Sequence, residues 1–174
     1  MAKKILYIPD VLQFSDYDCG DMCVQAVLAY YGTDLNEVKL LKKLKTRKSD
    51  GTSSDHITEF FEKEMFKVET RSMDIEDLKS FINRKIPVII LAQAWKKSKV
   101  RYQKTKAFGH YMVVIGYDDK NIYLEDPAIF GKGYIPVKEF IKRWHAIDKK
   151  EVKRLGIAVW GPKLYNYKKF ERIK

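Results

Sequence analysis

The stretch QFSDYDCGDMCVQAVLAYYG, Gln13 to Gly32, decides the fold of this 174-residue chain. It changes from a polar loop to an apolar segment whose large residues recur at helical spacing, which predicts a helix with one buried face. Asp18 is expected at the N-cap of this helix and Gly32 at its C-terminal end. Cys19 then lies in the first turn, where the positive end of the helix macrodipole favours a thiolate. The stretch therefore predicts either a reactive cysteine or a small core residue at a helix start.

The composition is that of a globular chain. The apolar fraction is 45% and the aromatic fraction 13%, and we expect a single domain over residues 1–174. No apolar run approaches the roughly 18 residues that a membrane span needs. Cys19 and Cys23 would lie on successive turns of one helix, where a disulfide would close almost no loop. Two free thiols favour a reducing compartment, so we expect a cytoplasmic protein.

The formal net charge of +11 has three interpretations. It could reflect nucleic-acid binding, attraction of an acidic partner, or lysine-rich faces in contact with solvent. The basic residues are spread over the segments 39–48, 96–106 and 167–174, and no nucleic-acid-binding motif accompanies them. We therefore favour solvated faces and do not expect nucleic acid to be the partner.

Four helical segments precede the first strong strand. After the Cys19 helix, apolar spacing and capping residues predict helices at 35–45, 53–65 and 74–85. Met65 is expected to face inward at the end of the second of these. The buried stripe of the helix at 35–45 is expected to consist of Leu35, Val38, Leu41 and Leu44.

The character of the sequence changes at Pro87, which precedes the continuous apolar run VIILAQAW. Such a run is typical of a strand buried on both faces. Two β-rich runs between Gly109 and Pro127 predict a hairpin. Helices first and antiparallel strands afterwards indicate an α+β fold, in which an N-terminal helical layer packs on a C-terminal antiparallel β-sheet. Further short elements are expected at 5–8, 67–71 and 155–160 as strands, and near Val137 as a helix.

The hairpin brings a histidine close to a carboxylate. If the turn centres on residues 119 and 120, facing residue numbers sum to about 239. His110 then lies opposite Ala128 or Ile129, and Asp126 is a diagonal neighbour at about 7–8 Å. Asp126 can orient the imidazole and favour its protonated form. The alternative is an Asp-Pro turn beside a histidine at a strand edge.

The other two histidines have simpler interpretations. His56 lies in the first turn of a predicted helix, where a surface or capping role is expected. His145 follows Trp144 near a helix end, whose negative pole favours a histidine. Neither histidine is expected in a catalytic site.

Cys19, His110 and Asp126 together meet the requirements of nucleophilic catalysis. A thiolate attacks a carbonyl, a histidine holds the proton and delivers it to the leaving amine, and a carboxylate orients the histidine. Gln13, on the loop before Cys19, could donate to the oxyanion alongside the Cys19 backbone N–H. The four residues therefore predict an amide-bond hydrolase that works through an acyl-enzyme.

Three short motifs carry a resemblance to a known family: Gln13-x5-Cys19-Gly20, Gly109-His110 at a strand start, and Asp126-Pro127. The pattern resembles the bacteriocin-processing peptidases, which are papain-like cysteine peptidases best known as N-terminal domains of transporters that cleave leader peptides after a double glycine. The similarity extends from about Val11 to Trp144. It implies that Cys19 is the nucleophile and His110 the general base. It also implies that Asp126 orients His110, that Gln13 is the oxyanion donor, and that no metal or cofactor is needed.

The chain departs from that pattern in three respects. Met22 occupies a position where a small alanine is usual in the family. No transporter segments follow, so a stand-alone relative is expected, and double-glycine specificity is not carried over. The long basic loop at 96–108 runs directly into His110 and could recognise acidic residues of a peptide or protein substrate.

Three alternatives stay open on the residues alone. An acyl transferase would use the same attacking groups as a hydrolase and differ only in the acceptor. A non-catalytic module could keep the fold and bind an acidic partner through its basic surface. Cys19 and Cys23 could begin a zinc site, but two further ligands would be needed, and Cys23 is expected in the core.

Overall fold

The computed structural model describes residues 3–95 and 101–161. Its helices are α1 (Cys19–Tyr30), α2 (Glu37–Lys43), α3 (Ser54–Lys63), α4 (Ile75–Asn83) and α5 (Val137–Arg143). Its strands are β1 (Lys4–Ile5), β2 (Lys67–Ser72), β3 (Val88–Gln93), β4 (Gly109–Tyr117), β5 (Asn121–Glu125), β6 (Lys132–Pro136), β7 (His145–Asp148), β8 (Lys150–Lys153) and β9 (Leu155–Trp160). Across the described residues, no helix combines the length and apolarity that a membrane crossing requires.

An antiparallel sheet of seven strands forms one layer of the fold. Its order is β2-β9-β3-β4-β5-β6, and β1 pairs with the C-terminal end of β4. All six residues of β3 are buried, as expected for a central strand covered on both faces. Strands β7 and β8 form a separate two-stranded hairpin. The predicted α+β class is confirmed, although β2 from the helical half of the chain also joins the sheet.

Helix α1 packs against the middle of the sheet. Its residues from Met22 to Leu28 are buried, apart from Gln25, because this helix packs against β4 and against α2. Gly32 has a positive φ of 80° and follows the helix end, the left-handed conformation that glycine adopts without strain. The helix predicted from this stretch therefore forms with the expected bounds.

Two expectations about buried residues are wrong. Helix α2 begins after Asn36, whose side chain accepts a hydrogen bond from Lys39 N, so Leu40 and Leu44 face the core. Val38 is consequently 75% exposed. Met65 is 86% exposed, because α3 ends at Lys63 and a positive φ of 66° turns Met65 away from the helical face.

The predicted hairpin forms between β4 and β5, and it contains one extra residue. Near the turn Tyr117 faces Ile122, which is the predicted sum of 239, but beyond an irregularity at Ile115 Val113 faces Glu125, which gives 238. If the pairing near the turn continued along both strands, Asp126 would lie across from Val113, and its side chain would point away from His110. The extra residue moves Asp126 across from Met112, which shares a face with His110.

We expect Gly116→Ala to detach β1 and destabilise the protein. A Cβ at Gly116 would overlap Lys4 O and lie 2.9 Å from Ile5 Cα, which are backbone atoms that cannot yield cheaply. The free energy of unfolding in urea should fall by about 1–3 kcal/mol. Gly133→Ala on β6 is the matched control, since its Cβ would meet only Ile129 Cδ1 at 3.4 Å. Equal stability of the two variants would contradict this account.

Candidate active site

Cys19 is the first residue of α1, and the helix start lies tightly against β4. A Cβ at Gly20 would be 3.1 Å from the ring of Tyr111 and 3.3 Å from Thr52 Cβ, so any larger residue would push the helix away from the strand. Glycine at this position therefore lets the backbone beside Cys19 approach the strand that carries His110. Cys19 is partly exposed, whereas Cys23 is buried, and burial raises the pKa of the Cys23 thiol above its usual range.

His110 and Asp126 form a short, buried hydrogen bond. Nε2 of His110 lies 2.7 Å from Oδ1 of Asp126, and the two residues are only 8% and 4% exposed. Oδ1 of Asp126 also accepts from Ala128 N at 2.9 Å, and Oδ2 accepts from the indole Nε1 of Trp95 at 3.0 Å. These bonds fix the carboxylate, and through it the plane of the imidazole.

The environment of His110 favours its protonated form. Burial lowers the pKa of His110, but side-chain hydrogen bonds to Asp126 and Cys19, with the charges of both, outweigh burial and raise the pKa to about 9. Because Nε2 is engaged by Asp126, Nδ1 is the nitrogen available to Cys19. The imidazolium is thus held between a carboxylate and a sulfur atom.

Gln13 lies beside this group but directs its side chain along its own loop. Its backbone N–H donates to Pro127 O at 2.8 Å, which ties the loop before Cys19 to the residue after Asp126. Its Nε2 donates to Ser15 O at 2.8 Å, and its buried Oε1 has no partner among the described residues. One of the two Nε2 hydrogens is used in that bond, so a role as oxyanion donor stays a prediction.

The loop before Cys19 is folded around Asp18. This residue is at the N-cap position, as predicted, but its carboxylate does not cap α1. It accepts instead from Phe14 N at 3.1 Å and Ser15 N at 3.2 Å. Asp18 therefore holds the Gln13 loop in a turn against the start of the helix.

A cavity of about 400 Å³ opens beside Cys19. Its floor is the end of the sheet, at Leu91, Gly109 and Tyr111. It is also lined by residues of the segment 45–53 between α2 and α3 and by the β7–β8 turn at 147–149. A cleft of this size beside a nucleophile can hold part of a peptide.

The remaining candidates lie outside the Cys19 group. The backbone N of His56 donates to Ser53 Oγ at the start of α3, while its side chain lines the cavity. His145 follows Trp144 at the C-cap of α5, as predicted, and begins β7, where its Nε2 donates to Tyr102 O at 3.0 Å. Residues 96–100 of the basic loop and the basic segment 167–174 lie outside the described residues.

Trp95 was missed by sequence reasoning. It follows the buried strand β3, and its half-exposed indole donates to Asp126 from a backbone with φ of 52°. A bulky residue in the left-handed region is uncommon, and such conformations concentrate at functional sites. An aromatic residue after a strand gives no such signal in sequence, because the conformation becomes visible only in the structure.

Comparison with known proteins shows which family this chain matches. The model of the "Peptidase C39 family" matches residues 8–147. The Lactococcin-G-processing and transport ATP-binding protein LagD of Lactococcus lactis subsp. lactis is 31% identical over 145 residues, which are 83% of this chain and 18% of that protein. The chain thus spans less than a fifth of the length of this curated relative.

Solved structures share the fold at low sequence identity. A putative C39-like peptidase from Bacillus anthracis has a TM-score of 0.75 at 18% identity, covering 94% of this chain and all of that one. The peptidase domain of Streptococcus ComA has a TM-score of 0.66 at 21% identity, covering 88% and 98%. A double glycine motif protease from an AMS/PCAT transporter, in complex with the leader peptide, has a TM-score of 0.65 at 20% identity, covering 95% and 100%.

We expect the His110 imidazole to titrate near pH 9, and at lower pH in Asp126→Asn, because the variant lacks the carboxylate that stabilises the imidazolium. Because the pKa of His110 is higher in the folded than in the unfolded protein, protonation of His110 stabilises the fold. This stabilisation is complete below about pH 6.5 and is lost as the pH rises through about 9. The stability difference between wild type and variant should therefore shrink over that window. NMR titration of the His110 ring measures the midpoint, with His56 and His145 as internal references. An unchanged midpoint in the variant would rule out the proposed electrostatic coupling.

Proposed function

We propose that Cys19, His110 and Asp126 cleave the peptide substrate of this chain. The chain belongs to the peptidase C39 family and is a papain-like cysteine peptidase. The hydrogen bond between His110 and Asp126, next to the partly exposed Cys19, is the observation that carries the assignment. These residues lie at the ends of three different elements, as is usual for a site assembled on a rigid scaffold.

The chemistry follows from the order of the three groups. His110 Nδ1 takes the proton of Cys19, and the thiolate attacks the scissile carbonyl. The imidazolium then returns the proton to the leaving amine, and water, deprotonated by the same ring, releases the acyl group. Asp126 keeps its charge and holds Nε2, so Nδ1 stays directed at the sulfur.

The oxyanion of each tetrahedral intermediate needs donors that are already in place. We assign this role to the backbone N–H of Cys19 and the Nε2 of Gln13. The bond from Gln13 N to Pro127 O supports the assignment, because it joins the Gln13 loop to the loop that carries Asp126. The remaining Nε2 hydrogen of Gln13 would then complete the donor pair.

The substrate we propose is a peptide or a protein segment. The relative LagD is named for processing lactococcin G, and the similar AMS/PCAT protease was solved with a leader peptide. The net charge of +11 attracts anionic groups, and because no nucleic-acid-binding motif accompanies it we propose acidic residues of a peptide rather than nucleic acid. Two free cysteines support a cytoplasmic setting.

Iodoacetamide should alkylate Cys19 well before Cys23, and this difference should depend on His110. Cys19 is partly exposed and hydrogen-bonded to His110, whereas Cys23 is buried. Mass spectrometry of the adducts over a range of pH measures both sites, and His110→Ala should slow alkylation of Cys19 while leaving Cys23 unchanged. Equal reactivity of the two cysteines would show that the thiolate–imidazolium pair does not form.

Gln13→Ala should lower kcat by about 10²–10³ if its amide stabilises the oxyanion. Peptide binding should change little, because the contact is made in the transition state. Gln25→Ala is the control, since that amide pairs with Asp34 on the outer side of α1. A normal kcat in Gln13→Ala would remove the residue from the site.

A further inference from the structure

We propose that the cavity beside Cys19 selects an acidic side chain on the N-terminal side of the cleaved bond, and that Lys45 and Lys48 are the residues that select it. The inference rests on the proposed peptidase function and deepens it by naming a subsite and the chemistry it recognises.

The direction of strand β4 decides which half of the substrate enters this cavity. Side chains alternate along a strand, so Gly109 and Tyr111 face the cavity while His110 faces the other side, toward Asp126. The leaving amine must come within hydrogen-bond reach of His110. The cavity, on the side of Cys19 away from the imidazole, is therefore left for the acyl half of the peptide.

Hydrogen bonds fix the segment 45–53, which lines the cavity, to the start of α1. Asp21 is fully buried two residues after Cys19, and it accepts from Thr46 Oγ1 at 2.6 Å and Thr52 Oγ1 at 2.9 Å. Arg47 and Gly51 exchange backbone hydrogen bonds of 3.1 and 2.7 Å across the tip. The segment between the two threonines is thus clamped to the first turn of α1. It contains Lys48 and directly follows Lys45, and both lysines line the cavity.

Some of the charged residues that line the cavity are already ion-paired or hydrogen-bonded within the protein, and those that are not carry a net positive charge. Four cations and three carboxylates line it: Lys45, Arg47, Lys48, Lys149, Asp16, Asp50 and Asp148.

Arg47 pairs with Asp50. Lys149 pairs with Asp55 at 2.8 Å, and Asp148 accepts from Ser54 N at 3.0 Å. These charges already have partners in the free protein, so they contribute less to the recognition of a ligand.

Lys45, Lys48 and Asp16 remain. Within residues 3–95 and 101–161, none of the three has an ion-pair or side-chain hydrogen-bond partner. Two free ammonium groups against one free carboxylate leave a net positive site. Both lysines are exposed, so they attract an anionic side chain with the modest, salt-sensitive strength of a surface ion pair. Glutamate or aspartate is the peptide side chain that carries this charge.

The first experiment maps cleavage sites in a mixture of synthetic peptides of known sequence. Wild type is compared with Cys19→Ala, and new termini are read by mass spectrometry. We expect aspartate or glutamate to be enriched within about three residues before the cleaved bond. Absence of any Cys19-dependent cleavage would overturn the proposed function itself. Cleavage without acidic enrichment would leave the peptidase standing and overturn only this inference.

The second experiment assigns the preference to the lysines. For the best acidic peptide and its amide counterpart, wild type should favour the acid by about fivefold in kcat/KM, and the ratio should shrink in high salt. The double variant Lys45→Ala/Lys48→Ala should cleave the acidic peptide and the amide peptide with similar kcat/KM, because both ammonium groups are removed. Lys48→Glu should favour a lysine peptide instead.

The matched control is Lys138→Glu, which changes charge equally on α5 at a residue that lines none of the described cavities. It should retain the wild-type preference, and thermal melts should show all variants folded. Loss of the preference in Lys138→Glu as well would indicate a diffuse effect of net charge, and would overturn the assignment to Lys45 and Lys48.

Discussion

The hydrogen bond between His110 and Asp126 is the contact on which the site depends. It requires both side chains on one face of a hairpin whose turn, continued regularly, would put them on opposite faces. The bulge at Ile115 resolves this conflict by taking up one residue of β4. Gly116, next to the bulge, then accommodates β1 where a side chain would block it. The His110–Asp126 hydrogen bond and the edge pairing of the N-terminal strand thus depend on the same irregularity.

The chain before Cys19 is fastened to the same end of the sheet. Val11 N donates to the buried carboxylate of Glu125, and Gln13 N donates to Pro127 O, so the segment runs alongside the residues that flank Asp126. Lys132 joins Glu125 to Asp10 and to the carbonyl of Ile8. Burial raises the pKa of Glu125, against the effect of its bond to Lys132. A polar network therefore positions the helix start relative to the strand ends.

Much of the fold could be predicted because its signals are local. The Cys19 helix, the buried strand after Pro87 and the hairpin all follow from periodicity and turn residues over about ten positions each. The predictions failed where a contact with another residue, rather than the local sequence pattern, sets the position of a side chain. Val38 has the spacing of a buried residue, yet Asn36 starts the helix late enough to expose it. Trp95 is placed by Asp126, which lies 31 residues away in the chain. The contact between His110 and Asp126 could be anticipated, but the bulge that permits it could not.

The bulge also determines where this hairpin can change in length. Removing Ile115 would leave the pairing of Val114 with Leu124 intact, and with it the alignment of His110 and Asp126, while the ladder becomes regular. Removing a residue between His110 and Val114 would instead turn the two side chains to opposite faces. Relatives that keep the same pair can therefore space it by 15 residues as well as by the 16 found here. A motif search that fixes the interval would miss those with a regular hairpin.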